Sequence, residues 1–93
     1  MKLEVVQISG DAPIQGFGYL DGRPWYFRAR GNQWDFAVAN DRELYFDAAI
    51  AATMHRGAGL LLSKRYHDTA QLTEEKARAI IRRAARAATA FLE

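Results

Sequence analysis

Few residues in this chain have the types and spacing that nucleophilic catalysis requires. Ser63, His67 and Asp68 offer a nucleophile, a base and an orienting acid, with Ser63 and His67 four positions apart on one face of an extended strand. No oxyanion-loop pattern surrounds Ser63, and a His-Asp pair at a strand end is typical of a solvated turn. The sequence therefore does not predict a catalytic triad.

Metal-binding and phosphate-binding patterns are equally incomplete. His55, His67 and Asp68 lack the paired spacing that makes a metal motif specific. Gly57-Ala58-Gly59 lies upstream of Lys64, but a phosphate loop needs a glycine directly before the lysine and a helix directly after it. We therefore expect no metal, no cofactor and no enzyme activity.

Composition indicates one globular domain over residues 1–93. Apolar residues make up 49% of the chain and charged residues 26%, which is ordinary for a folded protein. Cysteine is absent, which fits a reducing compartment, and no apolar run is long enough for a signal peptide or a membrane span. These features predict a cytoplasmic protein without membrane association.

The first forty residues alternate as antiparallel strands do. Leu3 to Ile8 and Gly16 to Leu20 form two of them, and tight turns at Asp21-Gly22 and Gly31-Asn32 add two more, Pro24 to Arg30 and Gln33 to Ala39, to make a meander. Because loop length sets hairpin register, Arg28 should lie opposite Asp35. One sheet face then gathers the core residues Trp25, Phe27, Ala29, Trp34, Phe36 and Val38, and Gly16 and Gly18 leave room beside the rings.

Two helices are expected after the meander. The spacing of Phe46, Ala49, Ile50, Thr53 and Met54 predicts a helix that ends near Arg56 and begins at either Asn40 or Asp47. Gly59 to Tyr66 is expected to be a strand. Thr73 should cap a long terminal helix through Leu92, whose apolar stripe is Ala77, Ile80, Ile81, Ala84, Ala88 and Phe91. The predicted fold is α+β: an antiparallel meander of about four to five strands packed against two α-helices.

Candidate contact residues fall on two surfaces. The outer sheet face should present an aromatic and arginine mixture that suits a binding hot spot, comprising Phe17, Tyr19, Tyr26, Arg28 and Arg30. A helix, or a second copy in a homodimer, would alternatively bury its aromatics. The terminal helix should present a basic stripe of Arg78, Arg82, Arg83 and Arg86, which Lys64 and Arg65 would extend.

The charge distribution and overall make-up suggest a partner. Residues 56–93 hold eight basic and four acidic side chains, whereas residues 1–55 hold five and seven; such asymmetry marks either an anionic partner or an ordinary solvated face. The segment from Gly16 to Arg28 has a distinctive sequence, but it does not identify an enzyme class. In size, absence of cysteine and compact α+β pattern, the chain resembles the small inhibitors that phages encode, anti-CRISPR proteins among them. That resemblance implies a protein that occludes a surface of a host complex; the alternative is a small nucleic-acid-binding domain in which Tyr19 or Tyr26 stacks on bases.

Overall fold

The computed structural model describes residues 1–10, 14–39 and 59–92, and within them it shows a sheet and a terminal helix. The strands are β1 (Leu3–Ser9), β2 (Ile14–Leu20), β3 (Arg23–Arg30), β4 (Gln33–Ala39) and β5 (Gly59–Arg65). A 3-10 turn (Thr69–Gln71) leads to the helix α1 (Glu74–Leu92). All strand pairs are antiparallel in the order β1-β2-β3-β4-β5, so the predicted meander is confirmed.

Tight turns set the register of the central hairpins. Asp21 and Gly22 both have positive φ, 50° and 82°, as a two-residue hairpin turn of the mirror-image type requires. The predicted pairings are confirmed, since Arg28 lies opposite Asp35 across β3 and β4, and Gly18 lies opposite Trp25 across β2 and β3. Consequently the large rings of β3 share one face.

That face is the core. Trp25, Phe27 and Phe36 are fully buried, and the Trp25 and Phe36 ring centroids lie 5.4 Å apart. Helix α1 covers them with small and branched side chains on one stripe, which are Ala77, Ile80, Ile81, Ala84, Ala85 and Ala88. Because the alanine side chains are short, the helix can lie close to the sheet while the aromatic rings fill the space between them.

The expectation of two helices is wrong. Among the described residues α1 is the only α-helix, accompanied by the 3-10 turn, and the helix expected to end near Arg56 lies outside them. One helix is long enough to reach across the inner face of the sheet. Nineteen helical residues extend about 28 Å, whereas five strands span about 19 Å between the outer two. Accordingly α1 contacts β1, β2, β4 and β5.

Hydrogen bonds fix where α1 begins. The Lys76 amide donates to Thr73 Oγ1 at 3.2 Å, which confirms the predicted cap. Upstream, the Thr69 amide and hydroxyl both donate to the Gly31 carbonyl oxygen, at 3.0 and 2.7 Å. The connection from β5 to α1 is therefore fastened to the turn between β3 and β4.

The last turn of α1 is only partly buried. Phe91 was expected in the apolar stripe, but it is 73% exposed, whereas Leu92 beside it packs against the core. Within the described ranges, no helix combines the length and the apolar character needed to cross a lipid bilayer.

Candidate functional site

A groove of about 540 Å³ lies between the inner face of β5 and the adjacent flank of α1; we call it the β5–α1 groove. Its floor is mainly apolar and its rim is basic and aromatic. The described residues that line it are Trp34, Leu62, Ser63, Lys64, Arg65, Tyr66, His67, Ile80, Arg83, Ala84 and Ala87. A concave apolar site with a few polar groups is the form that most binding sites take.

The groove exists because α1 covers β5 less completely than it covers β4. Phe36 and Val38 of β4 are fully buried, whereas their cross-strand neighbours Leu62 and Leu60 on β5 are only half-buried. On the helix side the flank carries Ala84 and Ala87, which are too short to close the gap. Apolar surface therefore stays accessible beside an edge strand.

The rim of the groove is positively charged. Lys64 and Arg83 are exposed basic side chains on the inner side, Arg65 borders the groove from the outer face of β5, and none of the described lining residues is acidic. The Asp68 carboxylate is engaged nearby, since it accepts a hydrogen bond from the Ala70 amide at 3.0 Å. An anionic ligand is the electrostatic complement of this rim.

Two aromatic side chains, Trp34 and Tyr66, line the groove together with these basic residues. Trp34 lies opposite Lys64 and packs on Phe27, with ring centroids 6.1 Å apart. Tyr66 stacks on His67 at 4.8 Å. Trp34 and Tyr66 are half-buried, so part of each ring is available to a ligand.

The predicted arginine stripe of α1 divides between two environments. Arg83 lines the β5–α1 groove, whereas Arg78 pairs with Glu74 at 3.1 Å on the solvent side. Arg82 and Arg86 are exposed and lie away from the groove, because neighbouring helical positions are separated by about 100°. Of the four arginines, the structure brings only Arg83 together with Lys64 and Arg65.

The outer sheet face holds a second basic area. Arg28 and Arg30 are exposed there, and Arg65 lies in the same row as Arg30, with Gln33 between them. The Asp35 carboxylate accepts hydrogen bonds from Ser63 Oγ at 2.6 Å and from Gln33 Nε2 at 2.8 Å. Ser63 therefore binds Asp35, which differs from the catalytic arrangement weighed for it.

The aromatic candidates on the outer face differ in exposure. Tyr19 is 38% exposed, Phe17 is half-buried and Tyr26 is only 8% exposed. The Tyr26 hydroxyl donates to Gln15 Oε1 at 3.0 Å. Burial raises the pKa of the Tyr26 phenol above its ordinary value of 10.0, and Arg28 partly opposes that rise. Tyr26 thus offers little surface to a ligand.

The fold and groove together define the class of protein: an α+β domain with an antiparallel meander, one face of which is covered by a terminal helix. Comparison of the chain with protein-family models, with curated proteins and with solved structures finds no match. Function is therefore inferred from the groove itself.

Sequence reasoning missed the part that Trp34 and Tyr66 play here. Trp34 was assigned to the core, and Tyr66 only to the end of a strand. Strand alternation does place Lys64 and Tyr66 on the same side as Leu62, and this signal was available in the sequence. What the sequence could not supply was the register of β5 against β4, since β4 ends at Ala39 and β5 begins only at Gly59, too far along the chain for loop length to set the pairing.

Proposed function

We propose that this chain is a non-enzymatic protein-binding module that captures an acidic segment of a partner in the β5–α1 groove. The observation that carries the proposal is that the groove combines an accessible apolar floor with a rim on which the charged residues that the structure describes are all basic. Apolar contact contributes affinity, while the basic rim selects and orients an acidic ligand.

The groove residues are of the kinds that dominate protein interfaces. Trp34 and Tyr66 are large amphipathic anchors, and Arg83 can bind a carboxylate with two parallel hydrogen bonds. Ile80 and Ala84 form a firm helical wall because both are packed against the core. Such a preformed site loses little conformational entropy on binding.

An inhibitor of the phage-encoded type is one setting in which this module would act. In that setting the groove engages an acidic surface of a host complex, in the cytoplasm, where a chain without cysteine needs no oxidising environment. The resemblance in size and make-up supports this setting.

The alternative is a nucleic-acid-binding domain. The exposed Arg28 and Arg30 could contact phosphates, but Tyr26 is buried beside them, which leaves only Tyr19 of the two tyrosines to stack on bases. The groove favours a protein ligand, since its floor is lined by aliphatic side chains such as Leu62 and Ile80.

A displayed library of random peptides tests the proposal. Selection on the wild-type chain should enrich peptides that combine aspartate or glutamate with aliphatic or aromatic residues. The best synthetic peptide should bind Arg83→Glu at least roughly tenfold more weakly. Arg82→Glu is the matched control, because it makes the same charge change one residue away on the solvent side and should bind as wild type does.

Three outcomes would overturn this function. One is a library that yields no peptide dependent on Arg83. Another is equal weakening by Arg82→Glu and Arg83→Glu, which indicates a nonspecific charge effect. The third is tight, steeply salt-dependent binding of an oligothymidylate with no peptide binding, which assigns the basic surface to nucleic acid.

A further inference from the structure

The two edge strands of the sheet differ in regularity. β1 is interrupted by a bulge between Val5 and Gln7, with Val6 57% exposed. β5 pairs with β4 without interruption from Gly59 to Arg65, and no strand in the described ranges pairs with its other side. A bulge protects an edge from further pairing, whereas a regular edge is a template for an added strand.

The backbone polar groups of β5 alternate between β4 and the outer edge. The Tyr66 amide donates to the Asn32 carbonyl oxygen at 2.8 Å, so the backbone N–H of Tyr66 points toward β4. By alternation in an antiparallel ladder, Lys64 and Leu62 also direct their amides toward β4. The amides and carbonyls of Leu61, Ser63 and Arg65 therefore point to the outer edge, at the spacing that an additional strand needs.

The β5–α1 groove lies beside this same edge. A strand added to β5 would direct alternate side chains toward the inner face, because side-chain direction reverses at each residue. Those side chains would enter the space between Leu62 and the helix flank formed by Ile80, Ala84 and Ala87. The remaining side chains would lie on the outer face, beside Leu61, Ser63 and Arg65.

The charges of β5 indicate the partner's chemistry. Lys64 projects on the inner side near Arg83, and Arg65 projects on the outer side, while β5 itself contains no acidic residue. An added strand with carboxylates on both of its faces would satisfy all three cations. A second copy of β5 would bring only further cations, so self-pairing is the less favourable occupancy.

We propose that an extended, acidic segment of a partner protein adds to the outer edge of β5 as a sixth strand, with alternate apolar side chains seated in the β5–α1 groove. This inference rests on the proposed function and specifies how the partner binds. It assigns affinity to main-chain hydrogen bonds and selectivity to the groove and its basic rim.

Amide hydrogen exchange of the full chain, with and without the best peptide from the displayed library, tests the binding mode. At saturating peptide the Leu61, Ser63 and Arg65 amides should exchange at least about tenfold more slowly. The Lys64 amide is the internal control, because it already faces β4 and should change less. Methylation of alternate peptide nitrogens should weaken binding at one set of positions and leave it unchanged at the other.

The outcomes separate the binding mode from the function. If the peptide binds in an Arg83-dependent manner but leaves those three amides unprotected, strand addition is wrong and the groove remains the binding site. If apolar residues in the selected peptides recur every three or four positions, a helix occupies the groove and strand addition is likewise wrong. Protection that appears without peptide as protein concentration rises, together with dimers in sedimentation, would assign the edge to a second copy and overturn the proposal.

Discussion

The Trp25 indole donates a hydrogen bond from Nε1 to the backbone carbonyl oxygen of Glu4 at 3.1 Å, although a whole strand lies between them. Gly18 of β2 occupies the intervening position, opposite Trp25 on one side and Val5 on the other. Because Gly18 has no side chain, the indole can pass beneath β2 and satisfy its polar group inside the core. This contact ties the edge strand β1 to the central strand β3.

The first prediction concerns Gly18→Ala. A Cβ there would lie 1.9 Å from the Glu4 carbonyl oxygen and 3.0 Å from the Trp25 ring, so both backbone and indole must shift. We expect the free energy of unfolding to fall by about 3 kcal/mol, the upper part of the overpacking range. Urea denaturation measures it.

Gly16→Ala is the matched control in the same strand. Its Cβ would approach the Ile8 side chain at 3.1 Å and the Gln7 carbonyl oxygen at 3.2 Å, which are contacts that small adjustments can relieve. The loss should be less than about 1 kcal/mol. Equal losses at the two glycines would contradict the role assigned to Gly18.

The second prediction concerns the pH dependence of stability through Tyr26. Burial raises the pKa of its phenol above 10.0, so the folded state retains a proton that the unfolded state has lost. The contribution of Tyr26 to stability is therefore complete below pH 10 and is lost as pH rises through the folded-state pKa. Thermal melts of wild type and Tyr26→Phe should show a smaller alkaline decline for the variant. An equal alkaline decline in the two proteins would refute this.

The third prediction concerns the attachment of the β5-to-α1 connection. Thr69→Val keeps the side-chain shape but removes the hydroxyl that donates to Gly31, and Thr69 is only 4% exposed. We expect a loss of about 1 kcal/mol in the free energy of unfolding. Thr89→Val is the control, since the Thr89 hydroxyl donates to the Ala85 carbonyl oxygen within the helix. If Thr89→Val is the more destabilising variant, the connection is not held as described.

The fourth prediction concerns the salt dependence of ligand capture. Affinity for the selected acidic peptide should fall roughly tenfold between low salt and about 0.5 M salt, because exposed charges are screened. Lys64→Gln should reduce that slope, whereas Arg78→Gln should leave it unchanged, because Arg78 pairs with Glu74 away from the groove. Isothermal titration at several salt concentrations measures both slopes, and equal slopes for the two variants would contradict the location of the site.

Sequence patterns predicted the parts of the fold that are set locally. Two-residue turns fixed the pairing of Arg28 with Asp35 and of Gly18 with Trp25, because turn length leaves one register. The cap at Thr73 was likewise visible from residue type and position. These are short-range constraints.

Long-range relationships could not be predicted in the same way. The pairing of Trp34 with Lys64 joins residues thirty positions apart in the sequence, so sequence alone did not place Lys64 beside Arg83. The burial of Tyr26 was left open, because alternation assigned it to the outer face and did not decide whether that face is covered. Arg83 lines the groove and Arg78 does not, and this difference depends on which flank of α1 faces β5. Helical periodicity alone does not determine that flank.

Neighbours in the sheet are also neighbours in sequence, which has a consequence for folding kinetics. Hairpins β1-β2, β2-β3 and β3-β4 each close a short loop, so they can form in microseconds and independently of α1. The pairing of β5 with β4 joins more distant parts of the chain, as do the contacts of α1, and we expect α1 to dock after the sheet has formed. Substitutions in its buried stripe, such as Ile81→Val, should then accelerate unfolding more than they slow folding.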